Sequence, residues 1–390
     1  MSFLYFLFLL DFFAKKGYTF IENKKRTVNV LKNSFLSHSD AALRNRNVIL
    51  RYIKDNAPVS RTDIWENLDM SRASVTQIMK QFQENGLIVD CFHGVSTGGR
   101  KPLYVEFEGS GIIFFSFDWT TKNLYLMNLN GDVLHEIPLQ LGERITPEDF
   151  SHIIKSKITE VKAKKLCADN EIVGMVLALP GIINANNKKV VFSVELGWQN
   201  VDVAELFKDE FSGHIYLERT LNLLSLAEMT LRKKNNKASH LQLFIFDASG
   251  IGVSTVIHGN IQHGLSCMHG ELGHIKLLSN EPCSCGQKGC LEAVIKKLMR
   301  ESGGEITGEI LEYFSVGIST AVNICDTDVV LTGSYIEQMT DIQKNYLKNA
   351  VLNKITSPDI RNFEIDYLGN VKQMAQLGLC TYMFDCCFPT

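Results

Sequence analysis

The sequence lacks an excess of charge of either sign: 40 Lys and Arg stand against 43 Asp and Glu, a net charge of −3. A global electrostatic pull toward nucleic acid is therefore excluded, and any such affinity has to come from local charge. Also missing is an uninterrupted apolar span. The opening stretch MSFLYFLFLLDFFAKKGYTF is rich in Phe and Leu, but Asp11 breaks it early, well short of the roughly 20 apolar residues that cross a bilayer. No basic residue precedes that stretch, as a secretory signal would require. Residues 1–36 are expected to be a leader of uncertain order, with no membrane partner. The ten cysteines lack a secretory context and a pairing pattern, which points to reduced thiols in a cytoplasmic protein.

One cluster of those cysteines is specific. In HGELGHIKLLSNEPCSCGQKGCLE, His274 is followed by Cys283, Cys285 and Cys290, with Gly286 and Gly289 between the thiols. One imidazole and three thiols suit a tetrahedral zinc ion, and four protein ligands leave no open position for water activation. The spacing predicts a structural zinc site that staples a loop. A chance grouping of core cysteines is the alternative.

From Arg44 the pattern is helical. Val48, Ile49, Tyr52 and Ile53 share a face, and Pro58 and Ser60 then punctuate the chain. A short helix over Arg61 to Asn67, a turn at Leu68-Asp69-Met70 and a third helix from about Arg72 to Asn85 follow, the last capped by Ser71. Val75, Ile78, Met79 and Phe82 make its buried stripe, leaving Arg72, Ser74, Gln77 and Lys80 outward. These are the parts of a helix-turn-helix, whose second helix sets its amino-terminal residues against base edges in the major groove. Arg72, Ser74 and Gln77 carry suitable donors. Leu87-Ile88-Val89 and Leu103-Tyr104-Val105 read as two strands around GVSTGGRKP, a wing whose Arg100 and Lys101 are offered to phosphates or the minor groove. Between Arg44 and Lys101 basic residues exceed acidic ones by nine to six. A helical interaction module with a solvated charged face is the other reading.

Beyond residue 109, apolar runs at Ile112 to Phe117, Leu124 to Leu129, Val173 to Leu179, Leu241 to Phe246 and Val329 to Leu331 predict buried strands. Helical stretches over Pro147 to Lys165 and Leu221 to Lys234 alternate with them, as α/β architecture requires. Asn130-Gly131 marks a hairpin turn, and the second half repeats the same device, so two related lobes are expected.

With SRTDIWENLDMSRASVTQIMKQFQENGLI, GGRKP, LPGII, LGWQN, HGELGH and CSCGQKGCLE in view, residues 44 to 390 resemble a repressor of the ROK family, which groups bacterial sugar-responsive repressors with sugar kinases. The resemblance implies a winged helix-turn-helix over 37–108, then a two-lobed, actin-like α/β domain over 109–390 with a sugar cleft between the lobes. It also implies a regulator that binds operator double-stranded DNA as a homodimer or homotetramer, nucleoid-associated when bound, and answers to a sugar or sugar phosphate.

Against the family's kinases, three positions differ. The flexible residues after the first-hairpin aspartate are Trp119 and Thr120 behind Asp118, too bulky for close backbone approach to a phosphate. The Asn-Asp pair whose aspartate is the general base reads Arg219-Thr220, and threonine cannot take a proton near neutral pH. A later Gly-Gly reads Gly333-Ser334. One glycine string, Ser249-Gly250-Ile251-Gly252, survives as either a phosphate loop or an ordinary turn. No catalytic residue is expected, and a sugar kinase with an appended DNA-binding domain is the rival reading.

On the sugar side, the resemblance assigns Glu271, His274, Glu292 and Asn200 to hydroxyl contacts. His274 either ligates zinc or faces the sugar, or does each with one nitrogen. Arg219 either pairs with Glu271 and fills the cleft or binds a phosphate bidentately. Only about 40 residues separate Glu292 from Gly333, so part of the second lobe is expected to be shortened, with Arg300 to Gly308 as a flexible connection.

Overall fold

A computed structural model describes residues 40–95, 101–142, 144–167, 172–208, 211, 213–235, 240–361 and 364–390. The leader, Arg100 and most of the wing tip lie outside the described residues.

The head opens with α1 (Asp40–Asn56), a two-residue strand β1 (Val59–Ser60), α2 (Arg61–Leu68) and α3 (Arg72–Glu84). Ser60 and Asp63 form a reciprocal capping box at the start of α2, the Asp63 carboxylate accepting from the Ser60 amide at 2.7 Å. Asp69, in a left-handed conformation with φ 51°, ends it. Ser71 caps α3 by accepting from the Ser74 amide at 3.1 Å. Val75, Met79 and Phe82 are buried, whereas Arg72, Ser74, Gln77 and Lys80 are exposed. β2 (Ile88–His93) and β3 (Leu103–Phe107) pair antiparallel, and β1 joins them in the order β1-β3-β2. Two residues are too few to carry an alternating pattern, so β1 was not legible beforehand.

The body holds two five-stranded sheets. The first contains β4 (Ile113–Asp118), β5 (Asn123–Asn128), β6 (Val133–Pro138), β7 (Ile172–Leu179) and, further on, β11 (His214–Arg219), in the order β11-β7-β4-β5-β6. A small sheet of β8 (Ile182–Asn184), β9 (Lys189–Ser193) and β10 (Trp198–Asp202) follows β7. Helices α4 (Pro147–Ala163), α5 (Val203–Phe207) and α6 (Thr220–Lys234) complete this half. The second sheet contains β12 (His240–Phe246), β13 (Ile251–Ile257), β14 (Asn260–Ile261), β15 (Asp328–Thr332) and β16 (Ile365–Tyr367), in the order β14-β13-β12-β15-β16. In both sheets the first three strands are antiparallel neighbours, the fourth adds in parallel beside the first, and the fifth adds in parallel beside the fourth. The two lobes thus share one topology. The remaining helices are α7 (Leu291–Glu301), α8 (Gly308–Cys325), α9 (Ser334–Glu337), α10 (Asp341–Leu352) and α11 (Val371–Cys387).

Residues of β4 and β5 are buried throughout, because both faces of the first sheet are covered. Phe115, Phe117, Leu124 and Leu126 face Phe150 and Ile154 of α4. Phe114, Tyr125 and Met127 share the opposite core with Leu379, Met383 and Phe384 of α11 and with Ile49, Leu50 and Ile53 of α1. Head and body therefore meet in one apolar cluster. Arg300 and Glu301 belong to α7, and the linker after them is an ordered turn in which Ser302 Oγ donates to the Glu305 carbonyl at 2.6 Å. The glycines suggested a flexible connection, but Gly303 and Gly304, both at positive φ, build a tight turn instead.

Candidate functional site

Three places carry the chemistry: the outer face of α3, the Cys/His cluster and the charged group beside it. On α3, Arg72 lies at the first helical position with its guanidinium 4.6 Å from the centre of the Trp65 ring. The Ser71 hydroxyl donates to Ser74 Oγ at 2.8 Å, which leaves the Ser74 proton free to point outward. Lys101 is exposed at the start of the returning wing strand.

The cysteine cluster assembles as its spacing requires. Ligand atoms of His274, Cys283, Cys285 and Cys290 all lie within 4.8 Å of one another. Cys283 Sγ is 3.7 Å from His274 Nδ1, and Cys285 Sγ is 3.7 Å from Cys290 Sγ. Tetrahedral zinc with bonds of about 2.3 Å to sulfur and 2.0 Å to nitrogen sets its ligands roughly 3.5–3.8 Å apart, so the donors fit that ion. Lys276 Nζ, 3.0 Å from Cys290 Sγ, supplies a compensating positive charge. Gly289 is required by geometry: its φ is +72°, and a Cβ there would lie 2.5 Å from the Ser279 carbonyl oxygen. The cluster pins two neighbours, since Glu271 and His274 flank one short 3-10 turn and Cys290 immediately precedes α7, whose first turn holds Glu292.

In that charged group, Glu271 sits between Arg219 and His274. Its Oε1 is 3.7 Å from Arg219 Nη1, and its Oε2 is 3.8 Å from His274 Nε2. His274 thus turns one ring nitrogen to the thiols and the other toward Glu271. Arg219 also donates from Nη1 to the His269 carbonyl at 3.1 Å. Burial lowers its pKa from the usual arginine value, opposed first by Glu271 and then by Glu218. The sequence did not single out Glu218, which is fully buried. Its Oε1 accepts from the Arg219 amide at 2.7 Å and from Asn222 Nδ2 at 2.8 Å, while Oε2 lies 2.7 Å from His263 Nε2. His269 Nε2 lies 2.9 Å from Thr255 Oγ1. Forty-five residues separate Glu218 from His263, so no spacing rule could have joined them.

The positions at which the family's kinases would meet phosphates are engaged within this chain. Trp119, 4 % exposed, donates from its indole to Glu195 and lies beneath the Lys122 ammonium. Asp118 turns back to accept from the Thr121 amide at 2.8 Å. At the equivalent strand end of the second lobe, Asp247 accepts from the Ser249 amide at 3.0 Å and the Ser334 amide at 2.9 Å. Glu292 accepts from the Ile251 amide at 3.1 Å and pairs with Lys296 at 2.7 Å. Carboxylates therefore occupy two amides of the glycine string, those of Ser249 and Ile251, while the Gly250 amide donates to the Asp247 carbonyl at 3.2 Å. Gly252 has its own explanation, because a Cβ there would lie 2.9 Å from Arg219 Nη2. Thr220 Oγ1 is buried without a hydrogen-bond partner among the described residues.

Arg219, Glu271 and His274 are brought together, then, whereas both Glu292 oxygens are already paired. Asn200 lies on β10, exposed, with a left-handed φ of 53°.

Comparison with known proteins agrees with this anatomy. The ROK family profile matches residues 119–298, and a winged helix-turn-helix DNA-binding profile matches residues 44–89. The chain is 25% identical to the xylose repressor of Caldicellulosiruptor bescii, over 87% of this chain and 94% of that one. It is 27% identical to the DNA-binding transcriptional dual regulator NagC of Escherichia coli, over 73% of this chain and 69% of NagC. The crystal structure of a ROK family transcriptional regulator, a homologue of the E. coli MLC protein, shares the fold with a TM-score of 0.72 at 18% identity, covering 89% of this chain and 97% of that one. The chain thus carries a ROK family domain, matched over residues 119–298, behind an amino-terminal winged helix-turn-helix matched over residues 44–89.

Proposed function

We infer that the chain is a DNA-binding transcriptional regulator, a repressor of carbohydrate-metabolism genes released by a sugar or sugar phosphate. Residues 37–108 are its reading head and 109–390 its sensing body. The observation that carries this is a division of labour. The head keeps Arg72, Ser74 and Gln77 exposed at the start of α3, while the body has Thr220 where a kinase needs a proton acceptor. Arg72, Ser74 and Gln77 read base edges, and Arg100 and Lys101 hold phosphates. Asn200, Arg219, Glu271, His274 and Glu292 line the effector cleft, with zinc on His274, Cys283, Cys285 and Cys290 as a structural ion that fixes the Glu271 turn. The chain works in the cytoplasm, on the nucleoid, as a homodimer or homotetramer whose two-fold matches paired half-sites.

In this reading an effector acts by binding better to an arrangement of the body that cannot hold the head on DNA, since only differential affinity shifts that equilibrium. Arg219 and Glu271 must separate, or exchange partners, for a hydroxylated ligand to reach the carboxylate. The rival, a sugar kinase with an appended head, rests on the Ser249–Gly252 string, whose Ser249 and Ile251 amides cannot donate to a phosphate while they donate to Asp247 and Glu292.

Genomic footprinting tests the reading: discrete sites beside carbohydrate genes are expected. Indifference to every duplex, together with ATP-dependent phosphorylation of a hexose, would overturn it.

A further inference from the structure

We propose that Trp65 is a positioning residue that holds the Arg72 guanidinium ready for a guanine edge, so that α2 sets part of the base preference read by α3. The inference rests on the DNA-binding reading above and goes beyond it by naming the residue that prepares the contact.

Arg72 occupies the first position of α3, behind the Ser71 cap. A cation there faces the positive end of the helix dipole, so the placement opposes helix stability and asks for another reason. Its guanidinium lies 4.6 Å from the centre of the Trp65 ring. Trp65 is itself well fixed. It sits in the last turn of α2, packs against the apolar core of the head, and its carbonyl accepts from the Asp69 and Met70 amides. The indole, packed against the core, has the Arg72 guanidinium over its ring.

Stacking restrains an arginine without consuming it. The attraction uses the π face of the ring and the flat face of the guanidinium, whereas the five N–H donors point outward in the guanidinium plane. A stacked Arg72 keeps the fork that pairs with guanine O6 and N7, and has already given up part of the side-chain freedom it would lose on binding. Lysine at position 72 would have neither the plane nor the fork.

The test uses the full-length protein and duplexes that the wild-type chain selects from a random-sequence pool. Wild type is expected to enrich a motif with one strongly preferred guanine per half-site. Arg72→Ala should weaken binding to that motif roughly ten- to hundredfold and lose the preference at that guanine. Trp65→Leu keeps an apolar side chain against the core but offers no π face. It should weaken binding about fivefold, relax the preference at the same guanine, and add nothing once Arg72 is already Ala. Trp65→Phe should restore most of the preference. A Trp65→Leu protein that binds more weakly but selects the wild-type motif unchanged would overturn the proposal, because only folding would then depend on the ring. So would additive losses in the double variant, or relaxation at a position other than the one Arg72 reads. If wild type enriches no motif, the DNA-binding reading itself fails and takes this proposal with it.

Discussion

Arg51 on α1 meets Asp385 on α11 at 2.6 Å, and this ion pair ties the first described helix of the head to a helix that follows every other element of the body. Lys54 lies 4.0 Å from the centre of the Phe384 ring, and Asn47 donates to the Pro389 carbonyl at 2.7 Å. Asp385→Ala should leave Arg51 without its 2.6 Å partner. The pair is about a quarter exposed, so the loss should fall between the surface and the buried limits, at about 1–3 kcal/mol. Urea unfolding of Asp385→Ala, Arg51→Ala and the double variant reads this as a coupling energy. Strict additivity would show that the pair does not hold the head.

Metal removal should destabilise the body selectively. Elemental analysis of protein purified without chelator is expected to find one zinc per chain. Cys290→Ser, which removes a fully buried donor, or treatment with a strong chelator should cost about 2 kcal/mol or more, roughly 4–8 °C in midpoint. Metal-free protein with an unchanged midpoint would reject a stapling role.

Stability should decline on the alkaline side through one histidine. The hydrogen bond from His263 to the buried Glu218 raises the imidazole pKa above its usual value, against the opposing effect of burial. Folding thus favours the protonated ring. Its contribution is complete below about pH 6.5 and is lost as pH rises through the higher folded value. The ring is 37 % exposed, which limits the effect to less than about 1 kcal/mol after screening. His269 has the opposite sign, because burial, Arg219 and His263 lower its pKa, and it acts below pH 6.5. His263→Gln should flatten the alkaline limb in thermal melts across pH 6 to 9; a profile that keeps its slope would assign that limb elsewhere.

Phosphoryl transfer should not return when the proton acceptor does. In Arg219→Asn with Thr220→Asp, the pair a kinase uses is restored, a change worth on the order of 100- to 10,000-fold where everything else is in place. Trp119 still fills the first hairpin, and Asp247 and Glu292 still hold the amides of the second. Hexose-dependent release of ADP is expected to stay at background in wild type and in this variant. Turnover in the double variant would show that the hairpins remain open to nucleotide.

Much of this molecule can be read from its residues because local rules decide it. Ser71 caps α3, the Val75-Met79-Phe82 stripe buries it, and the thiol spacing closes the metal cluster, each within about 20 residues of chain. The strands of the two lobes were legible as apolar runs because burial on both faces removes polar alternation. What escaped was set by distant partners. α11 is buried on many sides and reads as a mixed run with three cysteines and no capping signal beyond Asn370. The Glu218–His263 pair and the carboxylates on the glycine-string amides depend on the fold to bring them together. Arg219 was legible as a departure, but only the fold shows it 3.7 Å from Glu271 and 3.1 Å from the His269 carbonyl.

Because Ile49, Leu50 and Ile53 share their core with Leu379, Met383 and Phe384, the reading head is made early and finished late. A nascent chain exposes that apolar face of α1 until α11 leaves the ribosome. Products broken off before residue 370 would carry a complete recognition helix on an unfinished support, marked by an uncovered greasy face for chaperones and proteases.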